Sequence, residues 1–350
     1  MDQDLAADLQ SQVKEAIAQR NSLAIVGGGS KGFLQSAQVE TKLHLAGHAG
    51  IIDYEPSELF ITARAGTPLA EIEAVLAERK QMLGCEPPHF GATATLGGSV
   101  ACGFSGPRRP YAGSVRDHIL GVKLLNGHGE ILQFGGQVMK NVAGFDVSRL
   151  MVGARGTLGA LLEITLKVLP LPELEQTLLF KCALADAPKR MSALARCSIP
   201  LSGLAWAEGH IFMRLAGSEA AIRAAHAQVG GEPAATGASF WQSLREQTHP
   251  FFNGSQPLWR LSAPLASKID VPEGEVCMDW GGALRWWHTA CPATEVEDMA
   301  RSQGGHASLF RDQQPVLGAM PPAGLLSLHQ RLKKSFDPHG LFNPGVLGLH

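Results

Sequence analysis

The chain has 40 glycines in 350 residues, and within the first 160 they gather in three short clusters. Gly27-Gly28-Gly29-Ser30-Lys31-Gly32 follows the apolar run Leu23-Ala24-Ile25-Val26. Gly91 to Ser99 is continued by Gly103 and by Ser105-Gly106, and Gly153-Ala154-Arg155-Gly156-Thr157-Leu158-Gly159 precedes another strand-like run. Glycine lets a backbone turn through positive φ and leaves no side chain between its N–H groups and an anion. A single such loop is a common turn. Three of them, each carrying Ser or Thr and each beside an apolar strand, point to loops that converge on one extended, phosphate-bearing ligand.

Composition narrows the field. Hydrophobic residues make up 45% and charged residues 18% of the chain, as in a globular protein with room for two cores. A net charge of −2 without a Lys/Arg stripe gives no electrostatic case for nucleic acid. The N-terminus, Met1-Asp2-Gln3-Asp4, is acidic and lacks a signal-peptide core, and no apolar run reaches the ~20 residues of a membrane helix. The expectation is a cytoplasmic protein with no integral membrane segment, able to dock on a membrane complex. The six cysteines stand at neither zinc nor iron–sulfur spacing, so no metal is expected and buried free thiols are.

Periodicity sets the elements. Leu5, Leu9, Val13 and Ile17 predict an amphipathic helix over 3–20, and 23–26 and 59–65 read as strands. Thr67-Pro68 opens a helix that continues to about Lys80. Asn126-Gly127-His128-Gly129 joins strands at 119–125 and 130–134, and 160–169 alternates as a half-buried strand. The second cluster reads as a loop. Pro170 and Pro172 then break the chain; the six tryptophans all follow, with a helix at 218–229. The domain boundary falls near Leu171, and the last segment starts as a helix at Leu325.

Cluster one satisfies G-x-G-x-x-G through Gly27, Gly29 and Gly32, with Asp53 at the distance of a ribose-binding acid. This keeps a nicotinamide-dependent Rossmann reductase as an alternative, although 33–43 lacks the required helical period. In cluster two, Thr93, Thr95, Ser99 and Ser105 offer hydroxyls, while Gly97, Gly98 and Gly103 expose N–H groups. Neutral donors of this kind wrap a pyrophosphate where local positive charge is low.

The run Gly97 to Asp117 resembles the second FAD loop of the vanillyl-alcohol-oxidase (PCMH-type) FAD-linked flavoproteins. Lys140-Asn141-Val142-Ala143-Gly144-Phe145-Asp146 with Gly156-Thr157-Leu158-Gly159, and the ending Leu332 to Gly345, resemble further signatures of that family. Within it, the pattern is most similar to the FAD-binding subunits of bacterial glycolate oxidases. The resemblance is dense over 20–170, thin over 172–300 and sharp again at the end.

That resemblance implies an α+β fold. A bilobed PCMH-type FAD-binding domain would cover 1–171, a mixed α/β cap 172–324, and residues 325–350 would return to the FAD domain. Gly27, Gly28, Gly29, Ser30 and Lys31 would hold the pyrophosphate. Thr95, Leu96, Gly97, Gly98, Ser99, Gly103, Ser105 and Asp117 would line the rest of the cofactor, with Gly156 and Ile164 near the adenine end or flavin edge and Asn343 from the C-terminal signature. Phe145 stands where many relatives have tyrosine, and no histidine lies in cluster one, so non-covalent FAD is expected.

The implied reaction is oxidation of a small 2-hydroxy acid, glycolate to glyoxylate. Such a reaction needs a hydride acceptor, a base for the hydroxyl proton and a cation for the carboxylate. The cap offers Arg285, His288, His306 and Arg311. Each has a structural alternative: arginine stacks on tryptophan, and histidine serves internal bonds. The implied partners are a catalytic flavoprotein subunit and an iron–sulfur subunit of one complex. This chain lacks the histidine-rich clusters of the larger flavoprotein subunits, which keeps open an accessory or assembly role.

Overall fold

A computed structural model describes residues 2–34, 39–136, 146–265, 267, 275–311 and 323–348. The chain divides into two compact units. The first comprises 1–105, 114–171 and 320–350, and the second comprises 106–113 and 172–319. The segment 106–113 therefore belongs with the tryptophan-rich half rather than with its sequence neighbours.

The first unit opens with the helix Ala6–Gln19, whose Leu9, Val13 and Ala16 are buried. The short strand β1 (Ala24–Val26) pairs in parallel with β2 (Lys42–His44). A five-stranded antiparallel sheet follows, made of β3 (Ile51–Glu55), β4 (Phe60–Arg64), β5 (Ile119–Leu125), β6 (Ile131–Gly135) and β7 (Ala160–Lys167). Its order is β3-β4-β7-β5-β6. The central place of β7 changes one sequence expectation. Alternation predicted a half-buried strand, yet Leu161 and Thr165 on the expected outer face are only 6% and 7% exposed. A strand with neighbours on both edges and the helix Leu96–Cys102 packed on it buries both faces.

That helix is itself a correction. The second glycine cluster, expected as a loop because glycine is a poor helix former, forms a helix from Leu96 to Cys102. Thr95 caps it, its Oγ1 accepting the Gly98 N–H at 3.3 Å. Gly97 is required by packing: a Cβ there would lie 2.7 Å from the Ala65 Cβ. Tertiary contact outweighs propensity.

The C-terminal helix Ala323–Phe336 closes the first unit. Buried Lys333 donates to Asp337 Oδ2 (2.6 Å), Phe342 O (2.7 Å) and Thr157 O (2.8 Å). Asp337 in turn accepts the N–H groups of Leu341 and Phe342. This knot fixes the turn that carries Asn343.

The second unit is built on an eight-stranded sheet: β8 (Leu174–Lys181), β9 (Leu201–Ala207), β10 (His210–Gly217), β11 (Glu232–Pro233), β12 (Leu258–Ser262), β13 (Glu275–Asp279), β14 (Leu284–His288) and β15 (His306–Arg311). The order is β11-β8-β10-β9-β13-β14-β12-β15. Its core includes Leu178, Met213, Leu261 and Trp287, covered by helices such as Glu219–Val229 and Ala293–Ser302.

Candidate functional site

All three glycine clusters of the first unit line one open cleft. Gly27 to Gly32, Thr95, Gly97, Gly98, Gly156 and Gly159 border it, together with Arg155 and Asn343. Its walls are apolar, from Ile25, Leu34, Leu45, Met151 and Leu161.

Close backbone approach explains the first cluster. A Cβ on Gly28 would lie 1.5 Å from the Thr93 carbonyl oxygen, and one on Gly27 would lie 2.6 Å from Thr95 Oγ1. Thr93 Oγ1 donates to Gly28 O at 2.6 Å. Gly29 takes φ +77° and has open space where a Cβ would stand. Among the described residues, the N–H groups of Gly27, Gly28, Gly29 and Ser30 donate to no protein group. Consecutive unspent N–H groups around a left-handed glycine form an anion-binding concavity.

The second cluster contributes differently. Its leading amides are spent within the protein: Leu96 N–H on Thr67 O (2.9 Å), Gly97 N–H on Ala65 O (2.7 Å) and Gly98 N–H on Thr95 Oγ1 (3.3 Å). Gly97 and Gly98 shape the cleft rather than offering donors to it. Ser99 is 2% exposed, its Oγ has no hydrogen-bond partner, and it is not among the residues that line the cleft.

Several expected residues lie off the cleft. Leu96 and Ile164 are core side chains, 2% and 0% exposed. Gly103, at φ +68°, ends the Leu96–Cys102 helix in the left-handed conformation and would meet Gly153. Ser105 Oγ accepts the Val115 N–H at 3.0 Å. Asp117 accepts from both N–H and Oγ of Ser114 at 2.8 Å, and these bonds hold its carboxyl below the usual range. All of these have work in the fold. Residues 137–145, including Lys140 to Phe145, lie outside the described residues.

Asn343 joins the first and third clusters. Its Oδ1 accepts the Ile25 N–H at 2.8 Å and its Nδ2 donates to Arg155 O at 2.7 Å. Arg155 was missed by sequence reasoning, and its signal was present as the single charge inside the third cluster. With Lys31, which was expected there, it places two cations on the cleft beside the neutral donors expected of the second cluster. Lys31 is 7% exposed, its Nζ donating to His89 O at 3.1 Å and lying 5.6 Å from the Phe90 ring centre. Burial lowers the Arg155 pKa. Both cations oppose the burial that raises the Cys102 thiol.

Residues 5–135 match the profile described as FAD binding domain, and 294–347 match that of FAD linked oxidases, C-terminal domain. Over 345 residues, 98% of this chain and 97% of the relative, the sequence is 46% identical to glycolate oxidase subunit GlcE of Escherichia coli (strain K12). The chain belongs to the FAD-linked oxidase family. It is an FAD-dependent oxidoreductase, and FAD is its cofactor. Shorter stretches resemble D-2-hydroxyglutarate dehydrogenase of Xanthomonas citri (30% identity over 55% of this chain and 41% of the relative) and glycolate oxidase subunit GlcD of Bacillus subtilis (35% over 37% and 27%). Among solved structures, alkyldihydroxyacetonephosphate synthase shares the fold, with a TM-score of 0.67 and 15% identity over 96% of this chain and 75% of that one. No helix among the described residues is long and apolar enough to cross a membrane.

The residues fit the cofactor of the family: an unspent N–H concavity, two cations on the same cleft and apolar walls. The candidates for chemistry in the second unit fare unequally. Arg285 is 1% exposed and donates to the carbonyl and hydroxyl oxygens of Ser267 at 3.0 and 3.3 Å. Both ring nitrogens of His288 face carbonyls, Gln256 O at 2.8 Å and Phe251 O at 3.0 Å. These two are tied into the unit's interior. His306 is exposed at the start of β15, and Arg311 ends that strand with its side chain outside the described residues.

Proposed function

We propose that this chain is the FAD-binding subunit of a glycolate (2-hydroxy acid) dehydrogenase complex that forms glyoxylate. The convergence of three glycine clusters on one cleft carries the reading. The open amides of Gly27 to Ser30 would bind the diphosphate of non-covalent FAD, with Lys31 and Arg155 balancing its charge and Thr95, Gly97, Gly98, Gly156 and Asn343 fixing the shape of the cleft. The domains would be an FAD domain at 1–171 completed by 325–350, and a cap over 172–324.

When bound, FAD supplies acceptance of a hydride from the carbon bearing the hydroxyl. The protein's residues do the rest: they neutralise the diphosphate, wall off water and hold the substrate's carboxylate. The GlcE and GlcD similarities support membership of a multi-subunit oxidase; a catalytic flavoprotein and an iron–sulfur subunit would be its partners, and through them the chain would sit peripherally at the inner membrane.

The test is flavin content followed by anaerobic glycolate. The chain should purify yellow and release its flavin on acid precipitation, as non-covalent binding requires. Bleaching by glycolate without partners supports turnover in this chain. Bleaching only after a second flavoprotein is added supports an accessory relay role. A colourless chain that cannot be reconstituted with FAD refutes both.

A further inference from the structure

Arg155, one of the two cations on the cleft, has its backbone at φ +50°. That is the left-handed region, which residues other than glycine seldom adopt. A residue kept there is held by its surroundings. Two bonds hold this one: its N–H donates to Ala101 O at 2.9 Å, and its carbonyl accepts from Asn343 Nδ2 at 2.7 Å. Asn343 is itself at φ +43° and 6% exposed. The cation therefore leans on a second residue in the same uncommon conformation.

The C-terminal turn fixes Asn343 from two sides. On one side, Leu23 and Phe342 form a parallel bridge. Leu23 N–H donates to Leu341 O at 2.8 Å, and Asn343 N–H donates to Leu23 O at 3.0 Å. The Ile25 N–H on Asn343 Oδ1 extends this contact toward the first glycine cluster. On the other side stands the buried pair of Lys333 and Asp337, 4% and 1% exposed. The three donors of the ammonium meet three oxygens, those of Asp337, Phe342 and Thr157. Phe342 precedes Asn343, and Thr157 lies just beyond Arg155 and Gly156. One buried cation thus grips the chain beside both ends of the Asn343–Arg155 bond, and it does so from outside the cleft lining.

We propose that the Lys333–Asp337 pair positions Arg155 for the cofactor diphosphate, with Asn343 as the link between them. Arg155 meets the ligand; Lys333, Asp337 and Asn343 are positioning residues that keep its backbone in the left-handed conformation. This rests on the reading that Arg155 balances the diphosphate charge. The C-terminal segment thereby becomes part of the cofactor site without touching the cofactor through its charged pair. Binding and docking are then coupled in both directions.

The test is a double-mutant cycle on the full chain, stripped of flavin and titrated with FAD by fluorescence. Every variant is measured where its urea melt shows it folded. Alone, Lys333→Met should weaken FAD about tenfold or more and flatten the salt dependence, as Arg155→Gln does. In the Arg155→Gln background, Lys333→Met should weaken FAD further by less than about twofold, because the group it positions is already gone. Asn343→Ala, which leaves the buried pair intact, goes through the same cycle and should give the same non-additivity. It decides the route if Lys333→Met does not fold. A purely structural pair lowers stability and leaves the affinity of the folded protein alone, or lowers it equally in both backgrounds. Either of those results overturns the proposal while Arg155→Gln still binds FAD weakly, and the charge-balance reading then survives. Wild-type FAD affinity in Arg155→Gln removes that reading, and the positioning role goes with it.

Discussion

A single methyl group on Gly28 tests how the cleft is assembled. The Cβ of Gly28→Ala would stand 1.5 Å from the Thr93 carbonyl oxygen, whereas ordinary contact begins at 3.4 Å. The first and second clusters must therefore part by about 2 Å. A hydrogen bond between N–H and oxygen spans about 2.7–3.2 Å, so a displacement of that size breaks those made by the neighbouring amides. Each bond to a charged group contributes about 1.5–3 kcal/mol. Losing two costs about 3–6 kcal/mol, which weakens FAD binding from roughly a hundredfold to more than ten-thousandfold. The fold loses about 1–3 kcal/mol from the forced shift. The assay is FAD titration of the stripped chain by flavin fluorescence, with urea unfolding beside it. Gly324→Ala is the control, because a Cβ there meets nothing within 4 Å; it should bind FAD as wild type does. Wild-type FAD affinity in Gly28→Ala would refute the reasoning.

Other perturbations separate binding from folding. Arg155→Gln should weaken FAD about tenfold or more, the equivalent of one charge-assisted bond, with Tm nearly unchanged. Titration at two salt concentrations should show a shallower salt dependence than wild type. Lys333→Met removes the cation of a buried pair, and urea unfolding should show a loss of about 3–5 kcal/mol. His48 is fully buried, its Nδ1 accepts the Leu5 N–H at 3.0 Å, and burial lowers its pKa from 6.5. The unfolded chain gains a proton near pH 6.5 while the folded chain does not, so acidification through that pH destabilises the fold, by at most about 1.4 kcal/mol per pH unit. His48→Gln keeps an acceptor and should flatten stability over that window in pH-dependent urea melts; a slope equal to wild type would contradict this.

Much of the first unit was legible because its signals are local. The 3.6-residue spacing of Leu9 and Val13, the Asn126–Gly129 turn and the alternation across 160–167 each specify an element without knowledge of the rest. The three clusters were legible as one site because glycine leaves a compositional mark. What each cluster contributes was not. Whether an N–H is spent depends on partners distant in sequence, as Gly97 on Ala65 shows, while Gly27 to Ser30 remain unspent. Leu96 sits inside the second cluster and Ile164 just past the third, yet both face the core, since a motif marks position along the chain and not side-chain direction. In the second unit, residues near 285–288 looked chemical from type alone. The pairing that places Arg285 and Arg260 on opposite faces of the sheet is a property of strand register, and Arg109 reaches the same Trp280 ring as Arg260 from 151 positions earlier in the chain.

Amide hydrogen exchange on the full chain, with and without FAD, reads the central claim residue by residue. Gly27 to Ser30 have unspent N–H groups without the ligand and should slow sharply when FAD binds. Gly97 to Ser99, already bonded within the protein, should change far less. Exchange at 27–30 that proceeds at the same rate with FAD bound would contradict the account.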